Sequence, residues 1–441
     1  MGLDIAIVGS GIAGLATSWL LGDRHRVTLF EKSKTLGLGQ KGYEIPTKNG
    51  VIRMDIPPRV TNKDHYAAFF DLLTKVGMET YVVKQVSSFS RLGGDSYLTS
   101  QTWNNRLFSL SLPRLNWGSL GWLKRYSRDL TKFYFFLWGR GQQMDHSTKT
   151  IKEFLIAEKF SSDFVDSFLY PLWSLICTCS YEDIDCFPAQ DMLDVVKTFT
   201  GLTESRRLNG GTGFLEEKLS ARLSQVHLGA GVDCVSERGG KVIVKTTDGE
   251  AEFDHVVVAT EPHVAAAIVR DTYPVEGDLL AKIPITLTEM VLHTDKSLMP
   301  RHEKDWAPVN LFWDENSRGS CATLWMNRLE KEELADPYVF QSWNPLVAPE
   351  QSRIIAHSTF TRTLLNLDSA RSRDTLLDLM KTQKGRKLWL AGSYLASGVP
   401  LLENAVCSSQ LVAHYLNLAS QESVNDVEGG GNAGEYSIGN A

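Results

Sequence analysis

The sequence predicts an α/β fold in which a parallel sheet is assembled from separated pieces of chain and completed by a second, α+β domain. Three observations predict it. The chain opens on an apolar run followed by a glycine-rich turn. A second run, Val256-Val257-Val258-Ala259-Thr260, follows a hairpin signal at Asp248-Gly249, and a third, Leu388-Trp389-Leu390-Ala391-Gly392, precedes a helical stretch from Leu402 to Leu418. Short apolar runs without alternation suit strands covered on both faces, which is the situation of parallel strands.

The first element carries the most chemistry. Ile5-Ala6-Ile7-Val8 runs into Gly9-Ser10-Gly11-Ile12-Ala13-Gly14. A helical stretch to Leu21, a turn at Gly22-Asp23 and a second strand, Val27-Thr28-Leu29-Phe30, then lead to Glu31. Gly9 permits the turn out of the strand, Gly11 lets the backbone approach a pyrophosphate, and Gly14 lets the helix pack close to the sheet. The helix N-terminus offers free N–H groups and the positive end of its dipole to an anion. Glu31 is placed to accept from ribose hydroxyls. A lone GxGxxG describes only a loop, but strand, glycines, helix, strand and acid in this order describe a Rossmann-type dinucleotide site.

The three pieces together resemble the FAD-binding domain of the flavin amine oxidase and phytoene desaturase superfamily, in which a strand-Gly-helix unit near the C-terminus closes the cofactor site. The stretch from Glu289 to Arg301, Trp325-Met326-Asn327-Arg328-Leu329 and Ser342-Trp343-Asn344-Pro345 are similar to segments of one subgroup of predicted FAD/NAD-binding oxidoreductases, and they extend the likeness to about Leu418. The resemblance implies FAD rather than NAD, a glutathione-reductase-like cofactor domain and an amine oxidase-like substrate domain. For the cofactor it implies Gly9, Ser10, Gly11, Ile12, Ala13, Gly14, Glu31, Lys32, Gly37, Val232, Ala259, Thr260, Gly392, Ser393, Glu403 and Asn404. The wider family includes enzymes acting on lipid acyl chains and isoprenoids.

Three departures from the family pattern stand out. Leu38 in Leu36-Gly37-Leu38-Gly39 replaces the second of two glycines beside the diphosphate, where the charge of Lys34 offers compensation. Pro57-Pro58 stand where many relatives carry glycine and an aromatic, stiffening the surface near the flavin. Leu402-Glu403-Asn404 replaces a frequent His-Glu-Asp.

The three nucleotide pieces place the FAD domain at residues 1–85, 205–262 and 385–418. The two insertions, 86–204 and 263–384, make the substrate domain, and 419–441 is expected as a disordered tail rich in Ser, Asn, Gly and acids. The first insertion reads as mainly helical. The second mixes strand-like Thr286 to Leu292 with a helical stretch around Ser369 to Met380. Hydrophobic residues make up 43% of the 441, ample for a large core, and the formal charge of −6 with no basic run excludes the usual nucleic-acid footprint. Six scattered cysteines, Cys177-Thr178-Cys179 among them, lack the spacing of a zinc site or redox pair and suit free thiols in a reducing compartment. No signal peptide precedes the first strand and no apolar run approaches bilayer length, so a cytoplasmic protein is expected.

A flavin accepts the hydride itself, so the protein need only orient the substrate, exclude water and tune charge. No GxSxG elbow suggests a hydrolase. Three residues are candidates for catalysis. His293, on one face of Met290 to Thr294, either lines a pocket or is a hydrogen-bonded structural histidine. Lys282 lies where amine oxidases can carry a flavin-proximal lysine, or is simply solvated. Arg59, after the two prolines, either offers its planar fork to a carboxylate or phosphate or makes a surface salt bridge. At Glu403 and Asn404, helix capping competes with flavin contact. The stretch Leu107 to Trp138 interleaves bulky side chains, Phe108, Trp117, Trp122, Phe133 and Trp138 among them, with Arg114, Lys124, Arg125, Arg128, Lys132 and Arg140. It reads as a core helix with snorkelling cations or as a segment resting on a membrane surface. The expected function is FAD-dependent oxidation, by desaturation, of a largely apolar or lipid substrate. Double-bond isomerisation, amine oxidation and non-catalytic FAD binding are the alternatives.

Overall fold

The computed structural model describes residues 2–38, 42–84, 86–104, 109–113, 117–139, 141, 144–199, 204–331, 334 and 337–429; for 100–104, 109–113, 117 and 419–429 it describes the backbone alone. Gly39, and Leu107, Phe108, Arg114, Leu115 and Arg140 of the aromatic stretch, lie outside the described residues.

The nucleotide half is built on a five-stranded parallel sheet in the order Gln225–Leu228, Arg26–Glu31, Asp4–Val8, His255–Val258, Leu388–Leu390. Asp4–Val8 (β1) is central. Its Ile7 lies opposite Leu29 of Arg26–Glu31 (β2) on one side and Val257 on the other, and Ile5, Ala6 and Ile7 are wholly buried. That burial on both faces is why these strands carry continuous apolar runs. Ile12–Leu21 (α1) covers one face together with the C-terminal helix Leu402–Gly429, to which Ser409 Oγ ties it by donating to Ala13 O at 2.9 Å. On the other side a three-stranded antiparallel sheet, Val232–Arg238, Lys241–Thr246 and Gly249–Phe253, buries Val235, Val242 and Phe253 against the same core. The expected hairpin lies between its last two strands, with Gly249 at φ 140°. The C-terminal helix runs past Leu418, so residues 419–429 of the expected disordered tail are helical here, while 430–441 lie outside the described residues.

The second half is an eight-stranded mixed sheet in the order Ile354–Thr363, Ile285–His293, Phe340–Trp343, Gly319–Trp325, Val309–Asp314, Ser87–Arg91, Ser96–Asn104, Ser109–Pro113. The first insertion therefore opens with three strands and is helical over most of the rest, as its sequence suggests. Ser87–Arg91 is polar and pairs parallel with Val309–Asp314, a partner far along the chain that no local period announces. Helices Trp117–Trp138, Ile151–Ala157, Tyr170–Cys177 and Ala189–Phe199 follow. Trp122, Tyr126, Phe133, Phe136 and Leu137 recur at helical spacing and are buried, so that face of Trp117–Trp138 belongs to the core, with Trp173, Phe154 and Phe164.

Candidate functional site

The glycine loop follows directly from β1. Gly9 leaves the strand at φ 100°, a conformation costly for side chains, and a Cβ there would meet Ala259 O at 2.8 Å. A Cβ on Gly14 would lie 1.9 Å from Gly9 O, so α1 packs this close to the loop only because position 14 has no side chain. At Gly11, by contrast, a Cβ would meet nothing within 4 Å. The loop there borders open space, and the first turn of α1 has neither a side-chain cap nor an acidic residue. Both conditions fit a diphosphate.

At the end of β2 the Glu31 carboxylate accepts from Ser10 N (2.9 Å), Ser10 Oγ (2.6 Å) and Ser33 N (2.8 Å). Burial alone would raise its pKa, but these donors outweigh burial and hold the carboxyl below its ordinary value. Ser10 Oγ also accepts from Gly37 N at 2.8 Å, so the loop, the acid and the following turn form one network. Ala230 N donates to Glu31 O at 2.9 Å, and the chain continues through Gly231, beside Lys32, to Val232. Leu38, the departure from two glycines, is buried in the core and gives its N–H to Glu216 at 2.8 Å.

From Gly11, Ile12 and Ala13 a cavity of 590 Å³ extends past Ala259, Thr260, Gly392 and Ser393 into the second half of the molecule. Eight residues predicted from sequence thus share one wall: these seven and Arg59. The segment carrying Arg59 is fixed from three directions. Thr212 N and Oγ1 donate to the Asp55 carboxylate, Gln341 Nε2 to Asp55 O at 3.0 Å, and Arg207 Nε to Pro58 O at 2.8 Å. Arg59 has φ 49° and donates Nη2–H to Leu38 O at 2.8 Å. The same cavity is lined by Arg362, which carries no signal in the sequence. Its Nε–H is held by Thr178 Oγ1 at 2.8 Å, and its guanidinium lies over Trp343 and Phe360. Beyond the arginines the wall is apolar, with Phe89, Leu98, Phe168, Leu172, Val309 and Leu324.

The other candidates lie elsewhere. His293 is wholly buried and absent from the cavity wall. Its Nδ1 accepts from Asp295 N, which leaves the proton on Nε2 to be donated to Ser342 Oγ at 2.8 Å. Burial lowers its pKa to about 4, so it is a neutral structural histidine. Lys282 is exposed at the C-terminal end of Pro274–Ala281, away from the cavity, because its residue follows a surface helix rather than lying in the strand that begins at Ile285. Glu403 turns its carboxylate to Ala68 N (2.8 Å) and Phe69 N (3.0 Å), at the start of the helix Ala67–Lys75. Asn404 Nδ2 donates to Ser397 O at 2.6 Å, bracing the loop before its own helix. Arg362 escaped notice because its neighbours Thr178 and Trp343 come from distant segments; only the Trp343 motif carried a signal.

The profile of the family described as flavin containing amine oxidoreductase matches residues 12–380. No curated protein matches the chain. Among solved structures, putrescine oxidase bound to putrescine is similar with a TM-score of 0.63 at 13% identity, covering 95% of this chain and 99% of that one. Cyclohexylamine oxidase from Brevibacterium oxydans IH-35A gives 0.61 at 14%, covering 96% and 100%. The CLA-producing fatty acid isomerase from P. acnes gives 0.61 at 16%, covering 93% and 98%. At such identities these neighbours establish the fold, a Rossmann-type FAD-binding domain with an amine oxidase-like substrate domain. With a profile match over most of its length, this chain belongs to the flavin-containing amine oxidoreductase family and is an FAD-dependent oxidoreductase.

Proposed function

We propose that this oxidoreductase desaturates a largely apolar small molecule. The observation behind the reading is the cavity, which begins at the glycine loop and ends in a wall of Phe89, Leu98, Phe168, Leu172, Val309 and Leu324. Bound FAD supplies the acceptor for a hydride leaving carbon. Gly11, Ile12, Ala13 and the α1 N-terminus would hold its diphosphate, Glu31 its ribose, and Ala259, Thr260, Gly392 and Ser393 the remaining wall. The apolar side chains orient a hydrocarbon segment and exclude water. No aspect of this role needs a side-chain base at His293 or Lys282.

Val82 and Tyr134 line the cavity and are also exposed, so the cavity reaches the surface beside the helix Trp117–Trp138. There Tyr134, Phe135 and Trp138 stand exposed, with Lys124, Arg125 and Arg128 on the same helix. This supports entry of the substrate from an anionic lipid surface. No helix among the described residues is long and apolar enough to cross a membrane. Unbridged cysteines, Cys177 and Cys179 buried among them, support a cytoplasmic setting.

The test is anaerobic mixing of the FAD-loaded protein with a series of acyl and isoprenoid compounds. Bleaching of the flavin and a product lighter by two hydrogens are expected. Isomerisation would return a product of unchanged mass, and absence of bleaching across the series would indicate a binding protein. Faster bleaching by a small polar amine would replace desaturation with amine oxidation.

A further inference from the structure

We infer that Arg59 and Arg362 form a two-guanidinium clamp for an acid group on the substrate, carboxylate or phosphate, so that apolar acids are the ligands this cavity selects. The inference rests on the proposed function and narrows its substrate class.

Arg59 and Arg362 are half-buried, and a guanidinium drawn out of bulk water is costly unless its donors and charge are matched. Arg59 gives Nη2–H to Leu38 O, but its Nε is buried without an acceptor. Arg362 uses Nε on Thr178, and its terminal nitrogens make no hydrogen bond among the described residues. Neither arginine is in an ion pair among those residues. The acids that act on them are engaged elsewhere or lie farther off. Asp55 is taken by Thr212 and Glu216 receives Leu38 N, while Glu261 acts on Arg362 from beyond ion-pair distance. Burial, and next the charge of Arg59, lower the Arg362 pKa to about 10, which leaves it protonated at neutral pH.

Two guanidiniums thus face one cavity, and of the two carboxylates on the same wall Glu204 is paired with Arg206 at 2.9 Å while Glu261 is in no ion pair with either arginine. Both side chains are held in place. Arg59 is set by a left-handed backbone after two prolines, and Arg362 by Thr178 and the rings of Trp343 and Phe360. A planar acid between them satisfies the open donors and removes the repulsion, and a guanidinium fork matches such a group better than an ammonium does. A diphosphate carries the same chemistry, so the cofactor itself is the other source of an anion, and the experiment has to separate the two.

The experiment uses the FAD-loaded protein, with flavin content measured first and then calorimetric titration with oleate and with oleyl alcohol. These probes share a chain and differ in the head group. Wild type is expected to bind oleate roughly tenfold or more tightly than the alcohol. Arg362→Gln is expected to lose most of that preference with flavin content and melting temperature unchanged, and Arg362→Lys, which keeps charge without the fork, to keep part of it. Equal binding of the two probes by wild type, or binding of neither, overturns the clamp. So does an Arg362→Gln protein that loses flavin while keeping its preference, since the pair would then serve the diphosphate. Preference for oleate without any flavin bleaching by acids leaves the clamp standing and overturns desaturation, so the two failures are distinguishable.

Discussion

At the scale of single residues, the chemistry most visible in the sequence is the acid after β2. Glu31 was placed by spacing alone, and the structure gives it Ser10 N, Ser10 Oγ and Ser33 N as donors. Glu31→Ala leaves Ser10 N without its carboxylate partner and removes an acceptor for ribose hydroxyls. The expected cost is roughly 1–3 kcal/mol in FAD retention, read as flavin content after dialysis. Retention equal to wild type would take Glu31 out of the site. His293 shows what spacing cannot tell. Alternation put it on one face of a strand, but only the folded structure reveals that this face meets Ser342 and not the cavity. Burial holds its pKa at about 4 against an ordinary 6.5, so the unfolded chain takes up a proton below pH 6.5 that the folded chain refuses until about 4. Stability contributed by the neutral ring is therefore complete above 6.5 and lost as pH falls toward 4. His65 and His255, also held at about 4, titrate in the same window. His293→Asn should lose less melting temperature than wild type between neutral pH and about pH 5, with flavin content unaltered. Equal losses would mean that the histidine does not contribute.

At the scale of elements, the glycines of the β1–α1 turn separate folding from binding. Gly11→Ala places its Cβ in open space on the cavity wall, so the variant is expected to fold with wild-type stability in the absence of cofactor and to retain less FAD. Gly14→Ala places its Cβ against Gly9 O and should cost about 1–3 kcal/mol of stability whether or not FAD is bound. Identical behaviour of the two variants in thermal melts and flavin content would sink this division. Glu403 belongs to this scale too. Its carboxylate satisfies the first N–H groups of Ala67–Lys75, so Glu403→Ala should lower stability by about 1 kcal/mol and leave flavin content unchanged. A loss of flavin at unchanged stability would restore its cofactor role. Elements whose apolar runs are buried within one layer, such as β1 and His255–Val258, were legible because their environment is uniform along the strand. Ser87–Arg91 was not, because its buried positions Ser88 and Ser90 are polar: Ser88 Oγ donates to Asn310, far along the chain, and Ser90 pairs with Ser96 of the adjoining strand.

At the scale of the whole molecule, the glycine-loop end of the cavity could be read from local motifs, while Arg362 and the mouth depend on how the two halves meet. Arg362 lies in a run of threonines that reads as an ordinary strand, and it gains meaning only from Thr178 and Trp343. The mouth is a similar case. The stretch Leu107 to Trp138 supported both a core and a surface reading, and the folded helix has both faces. Its buried side holds Trp122, Tyr126 and Phe133, while Leu120, Tyr134, Phe135 and Trp138 are 46%, 53%, 45% and 53% exposed. Arg125 is partly offset by Asp163, and Lys197 lies over Trp138, but Lys124 and Arg128 remain exposed without an ion pair among the described residues. Aromatic rings beside cations at the rim of a hydrocarbon-sized cavity suit a bilayer interface, where the rings enter the acyl boundary and the cations meet anionic head groups. The protein should therefore sediment with phosphatidylglycerol vesicles more than with phosphatidylcholine vesicles, and added salt should weaken the difference by screening. Burying one of these rings contributes up to about 1.5–3 kcal/mol, so Phe135→Ser with Trp138→Ser should release most of the bound protein while leaving flavin content and melting temperature near wild type. Sedimentation indifferent to lipid charge, or a double variant that sediments like wild type, would leave the exposed rings without a membrane role and require the substrate to enter from water.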